Sequence, residues 1–112
     1  MRISVLCIVF GLGLLSCGDS KPVGRCQIAP LFYCVEYVGS SYTKDLAQTD
    51  CETPGGEFTA NASCPTDSLV GTCVSEPGTK AEMRTYFYSP QTLEDSRTTC
   101  AAMSGTTEFH EP

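Results

Sequence analysis

Read for its apolar and polar positions, the chain changes character near residue 17. Before that point, Ile3 to Leu15 is an apolar run of 13 residues broken only by Ser4, Gly11 and Gly13. After it, apolar residues come in short stretches with recognisable periods. "LFYCVEYV" (31–38) and "RTYFY" (84–88) alternate with period two and are rich in β-branched and aromatic residues, the pattern of strands with two unlike faces. Each is preceded by a short apolar motif, "VGRC" at Val23 to Cys26 and "VGTC" at Val70 to Cys73, which reads as the first strand of a hairpin. The second hairpin loop, "EPGTK", is a turn signal because proline presets one dihedral and glycine accepts a positive one.

Beyond the aromatic stretches the period lengthens to that of a helix. The segment from about Tyr42 to Glu52 reads as a shorter helix carrying Leu46, Ala47 and Cys51, and "TPGG" ends it. In the second half Ser89-Pro90 is expected to open a helix, serine accepting a bond from an orphan N–H and proline losing none at the first position. Leu93 and Cys100 lie seven apart on its face with Ala101 beside them, and Gly105 closes it with a left-handed cap. "GEFTA" and "TTEFH" then read as short closing strands.

Laid over itself, the chain shows the same order twice. The VGxC motif, the aromatic stretch, a second cysteine, then glycine and phenylalanine recur over Val23 to Phe58 and Val70 to Phe109. The cysteine separations are 25 residues for Cys26 to Cys51 and 27 for Cys73 to Cys100, and Tyr37 and Tyr86 each lie 14 residues before the second cysteine. The expected fold is therefore a small α+β disulfide-stapled domain over 23–112, built from two divergent strand-strand-helix-strand units, 23–58 and 70–109.

Composition sharpens this picture at the cysteines. Eight in 112 residues is far above ordinary usage, and a domain too small for a large core is where covalent staples are expected. Cys7 lies in the apolar run, and setting aside Cys17 as well leaves six, an even number. Cysteines shared by both units should pair alike, Cys26 with Cys51 and Cys73 with Cys100, leaving Cys34 to pair with Cys64. A competing scheme joins neighbours, Cys26 to Cys34 and Cys64 to Cys73. Zinc ligation does not fit, since no C-x2-C pair occurs and His110 is the one histidine. The formal charge of −6 disfavours nucleic acid and anionic lipid as electrostatic partners.

The apolar run itself reads as an address. Met1-Arg2 is a minimal positive n-region, and 13 residues are too few for a membrane span, which needs about 20. Leu14-Leu15-Ser16-Cys17 resembles the lipobox of small bacterial envelope lipoproteins, with leucine at −3, a small residue at −1 and then cysteine; Leu15 departs from the commoner small residue at −2. The resemblance implies a signal peptide over 1–16 and a lipidated Cys17 carrying a diacylglycerol thioether and an acylated amino group. It also implies a tether over 17–22 and a bacterial cell-envelope location, outer membrane or cell surface rather than inner membrane. Over the rest of the chain the likeness is a general one, to duplicated six-cysteine lipoprotein domains of unknown role. The alternative is ordinary secretory cleavage after Gly18, giving a secreted disulfide-rich inhibitor or effector.

Candidate chemistry is sparse. His110 with Glu108 and Glu111 is the one histidine–carboxylate grouping, and it sits on what reads as a solvated C-terminal tail. No G-x-S-x-G elbow or phosphate-binding glycine loop is present, so no catalytic residue and no cofactor is expected. The tyrosines are the better candidates: Tyr33, Val35 and Tyr37 share one strand face, Tyr86 and Tyr88 another. They serve either the core or a binding face for a protein or glycan partner, with Tyr37, Tyr86 and Tyr88 as its residues. "NAS" at Asn61 to Ser63 would mark a surface loop in a glycosylating host and is incidental in a bacterial one.

Overall fold

The structure is a computed structural model, and it describes residues 21–28 and 32–112. The expected signal peptide, Cys7, Cys17 and the tether up to Ser20 lie outside the described residues. The elements run β1 (Gly24–Ile28), β2 (Tyr33–Tyr37), α1 (Lys44–Glu52), β3 (Glu57–Ala60), β4 (Leu69–Ser75), β5 (Met83–Tyr88), α2 (Leu93–Ala102) and β6 (Thr107–His110). All strands pair antiparallel in one six-stranded sheet of order β3-β1-β2-β5-β4-β6. Each half runs strand-strand-helix-strand, and the order reads alike from either edge once the halves are exchanged.

The registers show what the VGxC glycines are for. Cys26 lies opposite Val35 and Phe58, and Cys73 opposite Thr85 and Phe109. One pleat away on the same face, a Cβ on Gly24 would stand 2.5 Å from the Phe58 ring, and one on Gly71 would meet the Phe109 ring just as closely. Each closing-strand phenylalanine thus packs directly over glycine backbone, a close approach that a larger residue would prevent.

Three bridges hold the domain: Cys26–Cys51, Cys34–Cys64 and Cys73–Cys100. The first and third strap each helix to the first strand of its half. One core cluster gathers Cys26, Val35, Tyr37, Ala47 and Cys51, the other Cys73, Phe87 and Cys100, and Tyr33 packs against both. The largest fully buried side chains are Phe87, five of these cysteines and Ser96. In a domain with so few large apolar residues, cystine is itself core material.

Both helices begin on threonine. Thr43 Oγ1 accepts from the Leu46 N–H at 3.1 Å and Thr92 Oγ1 from the Asp95 N–H at 3.0 Å, each satisfying an orphan donor of the first turn. This corrects the expected start at Ser89-Pro90: that peptide bond is cis, Pro90 lies in a turn, and the helix opens three residues later. The buried face of α2 is also different. Ser96 and Cys100, one turn apart, face inward, while Leu93 is 38 % exposed and Ala101 is exposed. The α2 C-cap is Met103, and Gly105, at φ +82°, turns the chain two residues later. In α1, Ala47 and Cys51 are buried but Leu46 is 57 % exposed.

The link from β3 to β4 must cross from one sheet edge to the other half, and it does so on the face opposite the helices. Four contacts hold it there besides the Cys34–Cys64 bridge. Arg25 Nη1 donates to the Ser63 carbonyl at 3.0 Å, the Cys64 N–H to Glu36 Oε2 at 2.8 Å, Tyr88 Oη to the Pro65 carbonyl at 2.8 Å, and the Ser89 N–H to the Ser68 carbonyl at 3.0 Å. Most of this connection is exposed, but at buried Cys64 the backbone N–H needs the partner that Glu36 supplies.

Candidate functional site

The two helices are short, nine and ten residues, and each is bridged to an outer strand of its half. α1 packs on β1 and β3, α2 on β4 and β6; on the helix face of the central strands Val35, Tyr37, Thr85 and Phe87 are buried, and Tyr33 and Met83 are half-buried. The result is an open groove of about 660 Å³ between the helices. Its floor is Ile28, Tyr33, Val35, Met83, Thr85 and Phe87; Leu46, Thr49, Asp50 and Pro54 form one wall, Thr99 and Met103 the other. A sheet face of this apolarity is ordinarily covered by a packed layer. Here the floor lies between the helices, and exposed Leu46 stands at its rim rather than in a core.

At the α1 end, Tyr37 Oη donates to Asp50 Oδ2 at 3.2 Å, and the Tyr42 ring meets Tyr37 edge-on with centroids 5.2 Å apart. Burial pushes the Tyr37 phenol well above its ordinary pKa, and the Asp50 charge and hydrogen bond push it further. Tyr42 is raised by burial and by the same carboxylate. Both phenols therefore stay neutral beside Asp50.

The tyrosines expected to form one binding surface are divided between the two faces. Tyr37 is 3 % exposed and lies on the helix face. Tyr86 pairs in register with Cys34, which puts it and Tyr88 on the crossing-segment face. Tyr86 Oη donates to Glu36 Oε1 at 3.1 Å and Tyr88 Oη to Pro65. The register partner of Gly24 is Tyr37 and that of Gly71 is Phe87, so Phe87, not Tyr86, occupies the place of Tyr37. The connection to the helix cysteine is one residue shorter in the second half, and a slip of one residue moves a strand position to the other face.

Glu36 was not singled out by its sequence context, yet it is the buried acid of the domain at 3 % exposure. It accepts from the Cys64 N–H and Tyr86 Oη, and Arg84 Nη1 lies 3.9 Å from Oε1. The only signal was its parity: between Val35 and Tyr37, it had to face away from the apolar side.

This cluster predicts a pH effect. Burial, then the Glu36 charge and hydrogen bond, push the Tyr86 phenol up to about 12, with Arg84 pulling partly back. An unfolded tyrosine titrates near ~10, so above that pH the unfolded chain loses its proton first. The contribution is fully present below pH ~10 and is lost as pH rises through about 12. Thermal unfolding at stepped alkaline pH should show a falling midpoint across this window, with a shallower fall in Tyr86→Phe; an equal slope in that variant would contradict the assignment.

His110 is the last residue of β6, exposed, with Nε2 3.3 Å from Glu108 Oε1. The expected frayed tail is thus an edge strand. Among the described residues no three His, Cys, Asp or Glu side chains gather as a metal site, and no helix is long and apolar enough to cross a membrane. The three bridges are consistent with an oxidising, extracytoplasmic compartment. Compared with family models, curated proteins and solved structures, the chain matches none.

Proposed function

We propose that this chain is a lipid-anchored protein of the bacterial cell envelope, whose disulfide-stapled domain acts by binding rather than by catalysis. The observation that carries the anchor is the use of the cysteines. All six in the described residues are bridged and none is free, so Cys17 has no disulfide partner among them. Its position at the end of the apolar run, after Leu14-Leu15-Ser16, then favours attachment. Each buried methylene of an acyl chain contributes about 0.8 kcal/mol, so several chains on one residue hold the protein essentially permanently. Gly18 to Pro22 is a leash of at most ~17 Å, enough to lift the domain clear of the headgroups on the outer membrane or cell surface.

We also read the two halves as divergent copies of one unit, 23–58 and 70–109. The support is the shared element order, the equivalent strand-to-helix bridges, and the Gly24–Phe58 and Gly71–Phe109 contacts. The interhelical groove is the surface that favours a binding role.

Detergent phase partitioning tests the anchor. The full chain expressed in a bacterial host should enter the detergent phase, and Cys17→Ala should move it to the aqueous phase with its thermal unfolding unchanged. Aqueous partitioning of the unsubstituted chain would instead support a secreted protein cleaved after Gly18.

A further inference from the structure

The interhelical groove is apolar along its floor, yet the charge on its lining is of one sign. Among the lining residues the ionised side chain is Asp50; the other polar ones are the neutral hydroxyls of Tyr33, Tyr37, Thr49, Thr53, Thr85 and Thr99. Among the described residues no lysine, arginine or histidine lines it and no cation pairs with Asp50. One Asp50 oxygen is held by the Tyr37 hydroxyl, which fixes the carboxylate beside the Tyr37–Tyr42 ring pair. We propose that the groove receives a ligand with an elongated apolar body and a single amine cation, the amine seated on Asp50 and the body lying over Ile28, Tyr33 and Met83, the half-buried residues of the floor. The proposal rests on the domain's being a binding domain and is independent of the lipid anchor.

The size fits, since small-molecule sites span roughly 300 to 1,000 Å³ and are mostly apolar with a few placed polar groups. The sign of the charge chooses among ligands. A fatty acid or other anionic amphiphile would bring its head group towards a carboxylate with no cation to offset it. An ammonium there gains the ion pair. The net charge of −6 draws cations towards the domain before contact.

The test uses the full chain carrying Cys17→Ala, so that no acyl chain competes, and three ten-carbon probes of equal length: decylamine, decanol and decanoate. The expected result is one-to-one binding of decylamine that perturbs the Met83 and Met103 methyl resonances. It should be about fivefold tighter than decanol, the scale of one exposed ion pair, with decanoate weaker still. Asp50→Asn keeps an oxygen for Tyr37 to donate to, and should bring decylamine to the affinity of decanol. Equal binding of amine and carboxylate, or a preference unchanged in Asp50→Asn, overturns the amine assignment and leaves the groove as an apolar site. Binding of none of the three overturns both the assignment and the groove as a binding site, whatever the partitioning experiment finds.

Discussion

Replacing Cys73 and Cys100 together by alanine should cost roughly 3 to 4 kcal/mol of stability, a large share of what a small domain has. The bridge closes a loop of 27 residues in the unfolded chain, and restricting a loop of that size accounts for a loss of this order in the chain-entropy argument. Packing adds to it. Both cysteines are essentially without solvent exposure in a cluster whose other fully buried member is Phe87, so removing two sulfurs opens a void against that ring. Small domains have only about 5 to 15 kcal/mol in all. Equilibrium denaturation of the double variant against the parent measures the effect, and the Cys26→Ala, Cys51→Ala pair should behave alike because it closes a loop of 25 residues in the same way. A loss below about 1 kcal/mol would mean that the helices are held by packing and not by the bridges.

The second large effect belongs to Glu36. Substituting leucine should cost about 2 to 4 kcal/mol, because the Cys64 N–H and Tyr86 hydroxyl lose their acceptor and Arg84 its buried counter-charge. Arg84 is 23 % exposed, so water offsets part of its loss, and the lower half of that range is the better expectation. Glutamine should be milder, since its carbonyl oxygen still accepts one bond while its amide meets the second donor badly. Urea denaturation of both variants checks the order. If Glu36→Leu proved as stable as the parent, the crossing segment would be held by its disulfide alone.

These effects also show which features the linear pattern carried. Strands were legible because β-branched and aromatic residues alternate over 31–38 and 84–88, and the bridges in the structure coincide with the pairing drawn from the internal similarity. The helix starts were less so. Thr92 followed by Asp95 is an adequate capping signal, but Ser89-Pro90 resembles one more closely and lies nearer the strand. The face of β5 was misread because counting back from Cys100 aligns Tyr86 with Tyr37, whereas the sheet register aligns Phe87. Neither the Glu36 cluster nor the groove could be read from spacing. The first depends on a crossing segment docking under the sheet, the second on two helices that pack on β1, β3, β4 and β6 and leave a groove between them. Leu46, an apolar residue of α1 that is 57 % exposed, is where that difference is most visible.

Attachment through Cys17 is tested most directly by the intact mass of the chain purified from the cells and medium of a bacterial host. The predicted species begins at Cys17, carries the added mass of acyl chains, and keeps three disulfides that resist alkylation until reduced. A chain of unmodified mass beginning at Asp19 would contradict it.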